Sequence, residues 1–165
     1  MMVFIQHSIR FILVVLMQIF VLNNIRFLDF INPYIYITFI LLLPYRFPRW
    51  IGLLLAFALG LIIDSFSNTP GIHTFATVLI AFLRNPVIDL FYSVEEGANP
   101  EPSFRTLGTS AFVKYVLSLI IIHHLAFYLL EIFTFANIAQ TIWRTLLNSA
   151  VSAIIIFAVL SLKKK

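Results

Sequence analysis

Six apolar segments separated by short polar breaks occupy nearly the whole chain, and this pattern restricts the fold more than any other feature. They fall at about 3–22, 30–43, 50–64, 71–92, 107–130 and 138–162. A helix of roughly 20 apolar residues matches the ~30 Å hydrocarbon core of a bilayer. Inside lipid every backbone N–H and C=O needs a partner from the protein, and a helix supplies those partners from its own turns. Charge content agrees with this reading. Only 11% of the 165 residues are charged and 61% are hydrophobic, whereas soluble domains carry roughly 25% charged residues. The pattern predicts an all-α integral membrane protein, a compact six-helix transmembrane bundle in one domain over 1–165.

Segments two, three and four are short. Fourteen residues of helix rise about 21 Å, so flanking residues, local thinning or loop backbone at membrane depth must make up the difference. For Ser65–Pro70 the last option is the expectation, with its backbone and hydroxyls lining a polar recess. Segment two is closed by Pro44 and Pro48. Arg10 followed by Phe11–Leu22 resembles the start of a signal peptide, but Asn23-Asn24-Ile25-Arg26 offers no small-residue cleavage site, so a retained first span is expected.

Basic residues set the orientation. With both termini in the cytoplasm the inner side receives Arg10, Arg46, Arg49, Arg84, Arg105, Lys114 and Lys163 to Lys165. The outer side receives only Arg26 and Arg144. Nine against two is a clear positive-inside asymmetry. It accounts for the net charge of +4 better than nucleic-acid binding would, because these residues stand beside apolar runs. The loop at 93–105, SVEEGANPEPSFR, then reads as a solvated cytoplasmic connector or a partner contact. The Lys163–Lys165 tail favours anionic membrane lipid. There are no cysteines, which excludes disulfides and thiol chemistry.

Gly52, Ala56, Gly60 and Asp64 recur every four residues, so a helix sets them along one side. Small residues at that spacing let helices approach closely in lipid. Asp64 ends the stripe, and an ionisable residue at the edge of a span is a functional candidate. Two readings stand side by side. Asp64 contacts a ligand, a proton or a partner helix, or it stabilises the turn before the fourth span with Ser65, Ser67, Asn68 and Thr69. Pro70 and Gly71 fit the start of the next helix.

Other polar residues lie within the spans. His123 and His124 point about 100° apart on a helix and cannot ligate one metal in the i, i+4 manner. His124 and Glu131 share a face, with Tyr128 between them. A metal site needs three or four converging ligands, and nothing in the sequence demands that His73 and Asp64 join these two, so no metal or cofactor is expected. Hydrogen bonding between helices is the simpler role for the histidines and for Asn148, Ser149 and Ser152, with proton relay the alternative. Lys114 can snorkel to the surface. No G-x-S-x-G elbow, H-E-x-x-H, P-loop or dinucleotide fingerprint occurs, and the chain reads as a non-enzyme.

Gly60-Leu61-Ile62-Ile63-Asp64, the polar loop after it, and Gly71-Ile72-His73 resemble the signature of the rod shape-determining MreD family. Chain length, six apolar segments and the basic tail agree, and the His123-His124 to Glu131 stretch is also similar. The resemblance implies a bacterial inner-membrane component of the cell-elongation machinery. It implies association with an MreC-like protein, and indirectly with an MreB-like actin homologue and a RodA-type glycosyltransferase with its transpeptidase in peptidoglycan synthesis. It further implies a fold similar to the S-components of energy-coupling-factor transporters. The expected function is a non-catalytic scaffold whose helix faces and a small recess near Asp64 bind partners, with Gly52, Ala56, Gly60 and Asp64 serving helix or partner packing. The alternative is an S-component-like subunit binding a vitamin or metal beside Asp64. An intramembrane enzyme built on His123, His124 and Glu131 is the third class.

Overall fold

The computed structural model describes residues 2–24, 32–132 and 137–162, with side chains from Gln6 onward. Arg26, the start of segment two at Phe30 and Ile31, and the Lys163–Lys165 tail lie outside the described residues. Among the described residues there are six α-helices and no strand.

Helix α1 (Met2–Leu16) continues through a π-turn at Met17–Val21 and a 3₁₀ turn at Leu22–Asn24. Four long helices follow later in the chain, α3 (Arg49–Ser67), α4 (Ile72–Phe91), α5 (Thr109–Ile132) and α6 (Ile138–Leu162). These four and the α1 stretch are each long and apolar enough to cross a membrane. In sequence order α3 packs on α4, α4 on α5 and α5 on α6, while α1 touches α3.

Segment three is longer than its apolar run. Helix α3 has 19 residues, about 28 Å of rise, because it continues past Ile63 through Asp64 to Ser67. Asn68 then takes a left-handed conformation at φ 54° and ends it, a role asparagine tolerates. Helix α4 runs through Pro86 without ending.

Segment two departs from the expected helical span. Its helical part is one turn, α2 (Thr38–Leu41), and the residues from Asn32 to Ile37 lead into it as turn and irregular backbone. Every residue from Pro33 to Leu43 is nevertheless buried. Irregular backbone at membrane depth is tolerated only where protein encloses it, and here the five long helices do so. Tyr36, Ile37, Ile40 and Leu41 are each 0% exposed and form the middle of the core with Leu59, Ile63, Ile80, Tyr115 and Leu119.

Such a segment needs donors and acceptors that its own turns do not supply. Polar side chains inside the long helices supply them. At one end Gln18, buried in the π-turn, accepts from the Ile35 N–H at 2.9 Å and donates to the Pro33 carbonyl at 3.1 Å. From α6, Asn148 accepts from the Asn32 N–H at 2.7 Å and Ser152 from the Tyr34 N–H at 3.0 Å. At the other end the Tyr115 hydroxyl donates to the Leu41 carbonyl at 2.8 Å, and Arg10 to the Leu42 carbonyl at 3.3 Å. Arg84, buried in α4, donates to the carbonyls of Leu43, Pro44 and Tyr45. The connector between α4 and α5 closes this end, the Pro100 carbonyl accepting from the Tyr45 N–H at 3.0 Å.

Candidate functional site

The turn between α3 and α4 is built on Asp64. Helix α4 is preceded by Gly71 at φ 85°, which has no side chain to cap the first turn. Asp64, ten residues upstream of Thr74, takes that role from α3. One carboxylate oxygen accepts from the His73 N–H at 3.0 Å and the Thr69 hydroxyl at 2.9 Å. The other accepts from the Thr74 N–H at 2.9 Å, the Thr74 hydroxyl at 2.6 Å and the Gly71 N–H at 3.1 Å. A carboxylate at a helix N-terminus is also favoured by the partial positive charge there. With five donors on two oxygens, and 4% exposure, the acid has no free face for a ligand.

Gly60 lies one turn earlier and touches the same strip of α4. A Cβ built on it would stand 2.4 Å from the Thr74 Cα and 2.8 Å from the Thr74 N. Gly52 has ordinary contacts with Phe47 and Leu43, and Ala56 is 0% exposed. The stripe therefore packs inside this chain. Of the two uses expected of it, packing between helices and contact with a partner, the first is the one in which all four residues are buried.

The polar recess expected at Ser65–Pro70 gives way to a surface turn. Ser65, Asn68, Pro70 and Gly71 are exposed, and Ser65 donates to the Leu61 carbonyl of its own helix at 2.8 Å. At this end Asn23 donates to the Ser67 hydroxyl at 3.2 Å and accepts from Gln18 at 2.9 Å.

Beneath the turn is a cluster that joins α4, α5 and the irregular segment. The Tyr36 hydroxyl lies 2.8 Å from His73 Nδ1 and 2.7 Å from His123 Nε2. A hydroxyl has one proton to donate, so one of those two ring nitrogens carries a hydrogen and the other does not. Its ring is 0% exposed, as is His123, and His73 is 1% exposed. Any proton exchange through Tyr36 would stay inside the protein. His123 Nδ1 has no partner.

His124 belongs to a second, separate set. Its Nδ1 is 2.8 Å from the Ile120 carbonyl, which can only accept, so the proton sits on Nδ1. Nε2 is then the acceptor, and Ser152 donates to it at 3.2 Å while receiving the Tyr34 N–H. The Tyr34 ring stacks on His124 at 5.3 Å and meets His73 edge-on at 5.0 Å. Phe127 packs on His73 at 4.6 Å.

The residues singled out in the sequence thus fall into three places. Gly60, Asp64, Thr69, Gly71 and His73 come together at the capped turn. His73 also joins His123, and His124 lies alongside. Glu131 does not join them and pairs with Arg144 at 3.6 Å, tying the ends of α5 and α6. Asn148 serves the backbone of Asn32. Gln18, Tyr34, Tyr36, Arg84 and Tyr115 are central here and were not singled out in the sequence as site residues. A glutamine and an arginine within spans were the available signal, since each needs a buried partner. No group of three or more metal-ligating side chains is placed to hold an ion among the described residues. Comparison of the chain with protein-family models, with curated proteins and with solved structures finds no match.

Proposed function

We propose that this chain is a non-catalytic scaffold of a bacterial cell-elongation complex, an MreD-like protein of the cytoplasmic membrane that holds an MreC-like partner. Through that partner it would couple to an MreB-like filament and to peptidoglycan synthesis by a RodA-type glycosyltransferase and its transpeptidase. One observation carries the reading. The residues that bear the resemblance, Gly60, Asp64, Gly71 and His73, form one interlocked unit in which each fills a distinct structural need. The quoted motif thus has a coherent local structure, which supports the resemblance from which the role is inferred.

The use of the interior polar groups points the same way. Gln18, Asp64, Arg84, Tyr115, Asn148 and Ser152 bond to the chain's own backbone, and apolar side chains such as Trp50, Phe57 and Trp143 face outward. That is the surface a lipid-embedded scaffold offers its partners. Both termini are cytoplasmic in this proposal. Arg10 and Arg84 meet at the end closed by the Asn99–Glu101 stretch, and Arg144 stands at the other. The vitamin- or metal-binding alternative loses its recess, since the Asp64 carboxylate is taken up by five donors.

Co-expression with the MreC-like protein of the same organism tests the proposal. Pull-down of the tagged chain from detergent should recover that protein, and depletion of the chain should round the cells. Recovery of no MreC-like protein together with unchanged rod shape would reject it.

A further inference from the structure

Arg84 and Arg49 are cations that no carboxylate neutralises. Arg84 of α4 is 4% exposed, and it donates to the carbonyls of Leu43, Pro44 and Tyr45. Those acceptors satisfy N–H groups but carry no net charge. Among the described residues neither Arg84 nor Arg49 forms an ion pair. Asp89, one turn beyond Asn85 on α4, accepts from the Tyr45 hydroxyl at 2.8 Å instead. A buried charge is costly unless an opposite charge meets it.

A small cavity lies against both arginines, where the start of α3 meets the second half of α4. Arg49, Arg84 and Asn85 line it together with Phe82, and its volume is about 20 Å³. The Arg49 guanidinium stands 5.0 Å from the centroid of the Phe82 ring, which keeps its charge beside the cavity. One N–H of the Asn85 amide goes to the Tyr45 carbonyl at 2.9 Å, and the amide has a second to give. No acidic residue is among the lining. Two guanidiniums and an amide around one small space are the chemistry of an anion site. Size narrows the choice. A cavity of this volume admits about one water-sized particle, which suits a monatomic halide and excludes a tetrahedral phosphate or sulfate.

We propose that this cavity binds one chloride ion between the Arg49 and Arg84 guanidiniums and the Asn85 amide. The ion would link α3 to α4 at the end where the second segment leaves the core. Arg49 is exposed, so the ion exchanges with the solution past it. This assignment stands on the cavity alone and holds whether or not the chain serves cell elongation.

Thermal melting of the intact protein in nonionic detergent tests it, with chloride replacing gluconate at constant ionic strength. A ligand held by the folded state alone raises the midpoint. The wild-type midpoint should rise and then saturate with chloride, and bromide should act alike. Arg49→Gln should need about tenfold more chloride for half the rise, the effect of losing one hydrogen bond to a charged group. Arg105→Gln, on the connector and outside the lining of this cavity, should respond as wild type does. Equal midpoints in chloride and gluconate would mean that the cavity holds water only and overturn the proposal. So would a chloride response that Arg49→Gln retains in full, or a sulfate response as large as that of chloride. A midpoint in gluconate raised just as far by added phosphatidylglycerol would assign the site to a lipid phosphate oxygen and likewise overturn it. Arg49 and Arg105 are both exposed side chains, so neither substitution disturbs the core.

Discussion

Asp64 illustrates how an intramembrane acid can be structural. Its five donors include three backbone N–H groups that would otherwise be orphaned at the start of α4. Asp64→Asn replaces one acceptor oxygen with an N–H₂ group facing donors, at a cost of about 1–3 kcal/mol for each donor left unpaired. The temperature at which half the protein loses its monodisperse detergent peak should fall, and an unchanged value would contradict the cap. Gly60→Ala is predicted to be destabilising by roughly 1–3 kcal/mol, an overpacking effect, because the new Cβ would meet the Thr74 backbone, which cannot swing aside. The same thermal measurement on Gly52→Ala should show little change, since only ordinary contacts lie there. Tyr36→Phe keeps the ring and deletes the hydroxyl shared by His73 and His123. Leaving two buried nitrogens unpaired costs about 1–3 kcal/mol each, so this variant too should melt earlier, with the ring and its packing retained. The stripe and the turn were readable from spacing and residue type at these positions. Which of the two roles Asp64 fills was not, because α4 is preceded by a glycine whose missing cap becomes evident only once α3 and α4 are side by side.

The second apolar segment is the element the sequence conveyed least well. Hydropathy records that Phe30–Leu43 is apolar, and both a helix and an enclosed irregular strand of chain satisfy that condition. Two local features separate them. The run Tyr34-Ile35-Tyr36-Ile37-Thr38 is built of aromatic and β-branched residues of low helix preference, and its usable length is too short to cross as a helix. The decisive information is nonlocal. Gln18, Arg84, Tyr115, Asn148 and Ser152 come from four different helices, and each bonds to this segment's backbone. Viewed singly, each is an expensive polar residue in a span. Together they replace the hydrogen bonds that a sixth long helix would have made for itself, which is the physical reason so apolar a chain keeps them.

For the molecule as a whole, the membrane class, the single bundle and the long helices followed from periodicity and length, since lipid leaves the backbone few alternatives. The basic residues sort with the architecture. Arg10 and Arg84 gather at the end where the segment leaves the core, and Arg144 lies at the other end against Glu131. What the sequence did not disclose is that so much of the polar interior is spent on the fold's own backbone and turns. Hydrogen–deuterium exchange in nanodiscs, comparing wild-type protein with Gln18→Leu, tests that claim most directly. The amides of Tyr34–Leu43 should exchange as slowly as those in the middle of α3 and α4. In Gln18→Leu those of Ile35 and Tyr36 should speed up while the long helices stay protected. Fast exchange across the whole segment in the wild-type protein, or a Gln18→Leu profile indistinguishable from it, would contradict the account.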